Sequence, residues 1–220
     1  MQKFATPAPV TVVLDVPAGH LRFIAAHRTD TTVEIRPANP AKSRDVRAAK
    51  QTEVACADGV LRINSPTRNQ LLGPSGSIEV TVQLPVGSHV EARTASAELR
   101  GVGRLGEVTL DSAHGTVKLD ETSGTRLTLQ AGDITLGRLT GPADLRTQKG
   151  DLTVTEATRG TLTLRTEHGD ITVGAARGTS ATLDAGTSYG RVTNTLRNDG
   201  TPALDIHATT SYGDIAARSL

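Results

Sequence analysis

The stretch TLTLRTEHGDITVGAARGT, Thr161 to Thr179, decides the fold. Leu162 and Leu164 alternate with polar residues, and after His168-Gly169-Asp170 the alternation resumes at Ile171 and Val173. Strand side chains alternate faces with period two, so the stretch reads as strand, tight turn, strand, turn, with one aliphatic face. Gly169 can take the positive φ that a sharp reversal demands, and Asp170 can hydrogen-bond the turn backbone. The same unit begins at Val90, Val108, Leu127, Ala143, Ala181 and Leu204, a period of roughly 18 residues that stretches to about 22 near the end.

Written in register, the units give two inward columns. The first strands supply Val108/Leu110, Leu127/Leu129, Ala143/Leu145, Leu162/Leu164, Ala181/Leu183 and Leu204/Ile206. The second strands supply Val117/Leu119, Ile134/Leu136, Leu152/Val154, Ile171/Val173, Val192/Asn194 and Ile215/Ala217, with the aliphatic pattern fading in the last two. A glycine stands between the strands at 115, 132, 150, 169, 190 and 213, followed by aspartate at 133, 151, 170 and 214. Such strands could form an antiparallel meander or a coil of stacked units. In a coil, equivalent positions lie above one another at about 4.8 Å, so like residues recur at the unit period. They do, and the expected fold is all-β: a parallel β-solenoid of roughly 18-residue strand-turn-strand repeats over residues 77–220.

Residues 1–76 are less regular but β-rich. Val10 to Val16, Leu21 to Ala26, Thr32 to Arg36, Gly59 to Ile63 and Ser77 to Leu84 read as strands, with a turn at Pro17-Ala18-Gly19. Ser43 to Lys50 reads as a short capping helix with Ser43 as N-cap, and Ser65 to Gly76 as a loop. The whole of 1–220 is expected to form a single domain, its N-terminal portion covering one end of the stack.

Composition narrows the function. Aromatic residues are 2% of the chain, two Phe and two Tyr with no Trp, so the core is aliphatic and narrow. Lys and Arg number 24 against 23 Asp and Glu, without a block of one sign, which gives nucleic acid no electrostatic invitation. Cys56 is the only cysteine, which fits a reducing compartment. No run of 18 apolar residues and no signal-type leader is visible, so no transmembrane segment and a cytoplasmic location are expected.

The stretch VTVQLPVGSHVEARTASAELRG from Val80, the recurrent Gly-Asp-Ile/Leu corners and SYGDI from Ser211 resemble the bacterial putative-adhesin family of β-strand-repeat proteins, a domain of unknown function. The resemblance spans Ser77 to Ser219, with weaker support in VTVVLDVPAGHLRF from Val10. It implies a β-solenoid, often exported or attached to a membrane segment, and carries no activity.

Catalytic constellations do not emerge. The six histidines never form a close ligand pair, turn chemistry accounts for the corner aspartates without calcium, and no nucleophile sits beside a base. No catalytic residue, metal site or cofactor is therefore expected. Threonines at 135, 153, 172 and 193, and at 109, 128, 163 and 182, form outward columns that suit a pleated solvent face. A second outward column runs Arg93, Asp111, Gln130, Arg146, Arg165, Asp184, His207. Its most basic part makes Arg146, Arg165, His168 and Asp170 the candidate ligand-binding residues, suited to an anionic ligand or to an enzyme acting on one. Ile215 and Ala217 mark an expected open end where a second copy could pair. The expected function is thus a non-enzymatic structural or interaction module binding a partner protein or itself. The alternatives are an adhesin-like glycan-binding module and an enzyme on the solenoid face.

Overall fold

Alternating aliphatic residues give every strand one face to bury, and the chain buries it by laying equivalent strands side by side in parallel. The computed structural model describes residues 1–65 and 76–220. The loop expected from Ser65 to Gly76 lies outside these residues except at its two ends. The described residues are all-β with one helix, the sheet is mostly parallel, and the chain divides into two compact units, Met1–Gly115 and Thr116–Leu220. The division falls inside the repeat, whereas the sequence pattern changes near residue 76.

In the first unit, β1 (Gln2–Ala5) pairs antiparallel with β4 (Asp30–Pro37). Asp30 secures this pairing: hydrogen bonds from Arg28, then from Lys3, lower its carboxyl pKa to about 2. The strands β2 (Thr11–Asp15) and β3 (Ala18–Ala26) form the first turn of chain, yet they lie in the middle of the stack. On one side stand β6 (Val60–Asn64) and β7 (Ile78–Pro85), and on the other β8 (His89–His114), all parallel to them. Val12 is flanked by Leu61 and Val90, and Leu21 by Val80 and Leu99. Phe23, fully buried, has Gly101 opposite it, which leaves space for the ring. The outer edges are closed antiparallel: β4 covers β7, and β5 (Glu53–Ala57) covers β6. An open parallel edge would present unpaired backbone groups, and antiparallel strands remove it.

Helix α1 (Ser43–Gln51) forms where expected, but Ser43 is not its N-cap. Lys42 holds that position in an extended conformation without a side-chain cap, and its carbonyl accepts from Asp45 and Val46. The polar anchor is instead Asp45, buried, whose Oδ1 accepts the Ser77 N–H at 3.0 Å.

The second unit comprises β9 (Val117–Ala131), β10 (Ile134–Leu139), β11 (Ala143–Arg146), β12 (Leu152–Ala157), β13 (Gly160–Arg165), β14 (Ile171–Ala175), β15 (Ala181–Tyr189), β16 (Val192–Thr195), β17 (Leu204–Tyr212) and β18 (Ile215–Ser219). Every strand pairing in this unit is parallel. The second-strand column runs Val117, Ile134, Leu152, Ile171, Ile215, Val192. In the first strands Leu145 lies beside Leu127 and Leu164, while Leu204 lies beside Gly160 and Ala181. Relative to the simple repeat alignment, β9 against β11 and β13 against β17 are each offset by two residues. An offset of two keeps every side chain on its own face, so the core tolerates it.

The order of turns is the main departure from chain order. β17 and β18 lie between β13/β14 and β15/β16, so the turn that comes later in sequence is interior. Burial explains the choice. Leu204, Ile206, Ala208, Ile215 and Ala217 are all buried, whereas β15/β16 offers Ala181, a half-exposed Leu183, an exposed Val192 and Asn194. Placing the more apolar turn between two neighbours removes more apolar surface from water, at roughly 25 cal/mol per Å². Ile215 and Ala217 consequently occupy no open end: Ile215 is 1% exposed, with Ile171 on one side and Val192 on the other.

Candidate functional site

The corner after each first strand of the second unit is built by three ladders. Glycine comes first: a Cβ at Gly150, Gly169, Gly213 or Gly190 would stand 1.9–2.2 Å from the carbonyl oxygen of the neighbouring corner glycine. Threonine lines the inside. The hydroxyls of Thr166, Thr210 and Thr187 donate to the carbonyls of Gly150, Gly169 and Gly213, each at 3.0 Å. Aspartate follows the glycine. The N–H of Asp151 donates to Asp133 Oδ1, that of Asp170 to Asp151, that of Asp214 to Asp170 and that of Arg191 to Asp214, at 2.7–2.9 Å. These bonds follow the stacking order and not the sequence order, since Asp170 serves Asp214, 44 residues away.

Asp170, one of the candidate ligand-binding residues, therefore holds one turn to the next. Asp170→Ala is expected to cost about 1 kcal/mol, the net worth of one such bond, while Asp170→Asn keeps an oxygen acceptor and loses less. Urea unfolding midpoints of the two variants check this. Equal losses would mean that carboxylate charge, not acceptance of the N–H, is what matters.

Just before the glycines lies a column of different chemistry. Ala131, Lys149, His168 and Tyr212 are neighbours in parallel bridges, and Tyr212 pairs with Tyr189 on β15. The His168 and Tyr212 rings stack at 4.9 Å with 10° between planes, and Tyr212 and Tyr189 at 4.9 Å with 3°. Stacked rings at this separation are mutually attractive beyond their buried area. Tyr212 is 50% and Tyr189 68% exposed, so both tyrosines of the chain stand in one solvent-facing ladder. Tyr212 has a ring on either side, whereas Tyr189 lies on β15, which pairs only with β17 among the described residues.

Arg146 and Arg165 are direct neighbours across β11 and β13. Arg146 is engaged by Asp144 through two hydrogen bonds, 2.9 and 3.1 Å, which raise its pKa above the ordinary guanidinium value. Arg165 has no ion pair among the described residues and is followed on the other side by Thr209. The sequence thus places Arg146 over Arg165 with Lys149 and His168 nearby, as the pairings do, but it missed Tyr189 and Tyr212. The available signal was the repeated TSYG at 187–190 and 210–213. Of the outward threonine columns, Thr135, Thr153 and Thr172 are adjacent and Thr193 is separated from them by Ala216. Thr128 lies instead beside Arg146, and Thr182 bonds Asp205 at 2.6 Å.

No helix among the described residues is long and apolar enough to cross a membrane. Stacked parallel turns, corner ladders and an exposed aromatic column define a β-repeat protein. Residues 9–218 match the family described as Toastrack DUF4097, and the chain belongs to that family. No curated protein matches the sequence. Among solved structures it is similar to a putative adhesin from Bacteroides fragilis, 15% identical over 98% of this chain and 95% of that one, with a TM-score of 0.57. A putative lipid binding protein from Parabacteroides distasonis is 10% identical over 98% and 95%, with a TM-score of 0.48. The first of these likenesses speaks to the fold alone.

Proposed function

We propose that the chain is a non-enzymatic interaction module of adhesin type, a β-solenoid of about 18-residue turns that holds a cell-envelope surface through the His168–Tyr212–Tyr189 corner. The observation that carries this reading is the gathering of the chain's only two tyrosines, both exposed, into one ladder. Tyrosine is favoured at contact surfaces because it offers a rigid apolar body and a polar tip. Arg165, three residues before His168 and without an ion pair among the described residues, adds a donor for an acidic group. Two of the residues that an enzyme on this face would use have structural partners: Asp170 accepts the Asp214 N–H and Arg146 is held by Asp144.

Cosedimentation with purified bacterial wall fragments tests the reading. The intact protein is expected to pellet with them, and the variant with His168, Tyr189 and Tyr212 all replaced by Ala to remain in solution. Undiminished pelleting of that variant, or release of soluble fragments by the intact protein, overturns it.

A second reading, pairing with another copy or a partner strand, is favoured by the edge of β15/β16. Ala181 N–H is taken by the Arg197 carbonyl, on the side away from β17, so the same parity turns the backbone groups of Leu183 and Ala185 outward. An unpaired strand edge is a template for an added strand. Light scattering across a hundredfold range of concentration separates this from the first reading.

A further inference from the structure

We infer that residues 177–202, which carry β15 and β16, form a hinged strap over the end of the stack and open as one piece while the other turns of the second unit stay folded. The path of the chain permits this. Because β17/β18 pairs directly with β13/β14, the stack beneath β15/β16 is continuous without it. Both ends of the segment are tied to that stack. The Ala176 N–H donates to the Ala157 carbonyl at 2.8 Å, and the Ala203 carbonyl accepts the Gly160 N–H at 2.9 Å. Just inside these anchors stand Gly178 and Gly200, with φ of +78° and +94° and nothing within 4 Å of the Cβ position. Glycine can change conformation freely, and here no packed neighbour resists. Two such points bracketing a segment serve as its hinges.

The strap is also lightly held. Of its strand residues only Ala181 is buried, and all four of β16 are exposed. The turn beneath it buries Leu204, Ile206, Ala208, Ile215 and Ala217. Thr182 bonds Asp205, Thr187 the Gly213 carbonyl, the Arg191 N–H Asp214 and the Arg197 N–H Ser219. None of these residues is buried, so water can replace each partner. Segments with few buried apolar contacts open at lower free energy than the core they cover.

Opening lifts Tyr189 from Tyr212, which splits the aromatic ladder, and bares the β17/β18 edge. The corner is therefore complete only when the strap is closed. That effect on contact rests on the function proposed above, whereas the strap itself does not.

Native-state hydrogen exchange followed by NMR tests the inference. The Ser180 carbonyl accepts from Ala203, so by strand alternation the N–H groups of Thr182 and Gly186 face β17. The Thr209 carbonyl accepts from Thr166, so those of Asp205 and Thr209 face β13. Protection of Thr182 and Gly186 is expected to be at least about tenfold below that of Asp205 and Thr209, with little dependence on low concentrations of urea. A lock supplies the second measurement. Asp184 and His207 are register neighbours whose side chains approach to 3.4 Å. Their Cα separation, about 4.8 Å for paired strands, lies within the range of about 4.4–6.8 Å that a disulfide spans. Asp184→Cys with His207→Cys, made together with Cys56→Ser, leaves that pair as the only cysteines. Oxidation should raise the protection of Thr182 and Gly186 about tenfold, and reduction should reverse it. Equal protection of the two pairs of amides in the unaltered protein overturns the strap, and so does a disulfide that leaves Thr182 and Gly186 exchanging as before. Pelleting with wall fragments alongside either failure leaves the binding function standing. Unequal protection without pelleting keeps the strap and removes the binding function.

Discussion

Ile215→Asp unfolds the second unit instead of altering an end. The side chain is 1% exposed and has Ile171 and Val192 as its lateral neighbours, so an aspartate there is enclosed by hydrocarbon with no cation to meet it. Burying an unpaired charge is among the few single changes that cost more than about 4 kcal/mol, which for a unit of this size is a large share of its stability. Val192→Asp is the control. It sits in the same column one strand further out, at 42% exposure, and its carboxylate reaches water. Its expected cost is about 1 kcal/mol or less, in line with partly exposed sites. Urea unfolding followed by circular dichroism at the β-sheet band measures both. Similar midpoints for the two variants would show that β17/β18 is not held between β13/β14 and β15/β16.

Gly169→Ala is the second large effect. Its φ is +154°, and a Cβ would stand 2.0 Å from the Gly150 carbonyl oxygen, a backbone atom that can retreat only if the adjacent turn moves too. Conformational strain alone costs about 1–3 kcal/mol, and the enforced displacement also disturbs the Thr166 and Asp170 bonds at the same corner. The expected loss is about 3 kcal/mol. Gly178→Ala isolates the conformational part, since Gly178 has φ +78° but nothing within 4 Å of its Cβ position. It should lose about 1 kcal/mol. Equal losses in thermal melts of the two variants would mean that close approach of the turns contributes nothing.

The repeat was legible in the sequence because it is enforced twice, by period-two alternation in each strand and by the glycine that closes each corner. The Val117, Ile134, Leu152, Ile171 column survives intact in register. The aspartates were legible as turn residues, although their bonds run to the next turn and not within their own. What the sequence concealed was neighbourhood. Alternation says which face a side chain takes but not which turn lies beside it, and a two-residue offset leaves the alternation untouched. Asn194 in a core column was the one local sign that β15/β16 belongs at an edge. Strands β1 and β5 carried no such sign, being short and mostly exposed, and exist because they cover edges. The aromatic ladder was concealed for the same reason as the turn order. Tyr189 and Tyr212 lie 23 positions apart, and His168 meets Tyr212 only because the later turn is slotted between the earlier ones.

That slotting also bears on biosynthesis. The ribosome releases Ala181 to Thr195 before Leu204 to Ser219, so the nascent chain exposes two aliphatic edges, on β13/β14 and on β15/β16, until the segment that joins them emerges. At about 5–20 residues per second the exposure lasts on the order of a second, long enough for β15/β16 to settle directly on β13/β14 in an order that must later be undone. The shared TSYG corners at 187–190 and 210–213 make the two arrangements look alike locally. Of the two competing turns, β15/β16 has the poorer core, with Leu183 half-exposed and Val192 and Asn194 exposed, so its hold on any neighbour is the weaker of the two.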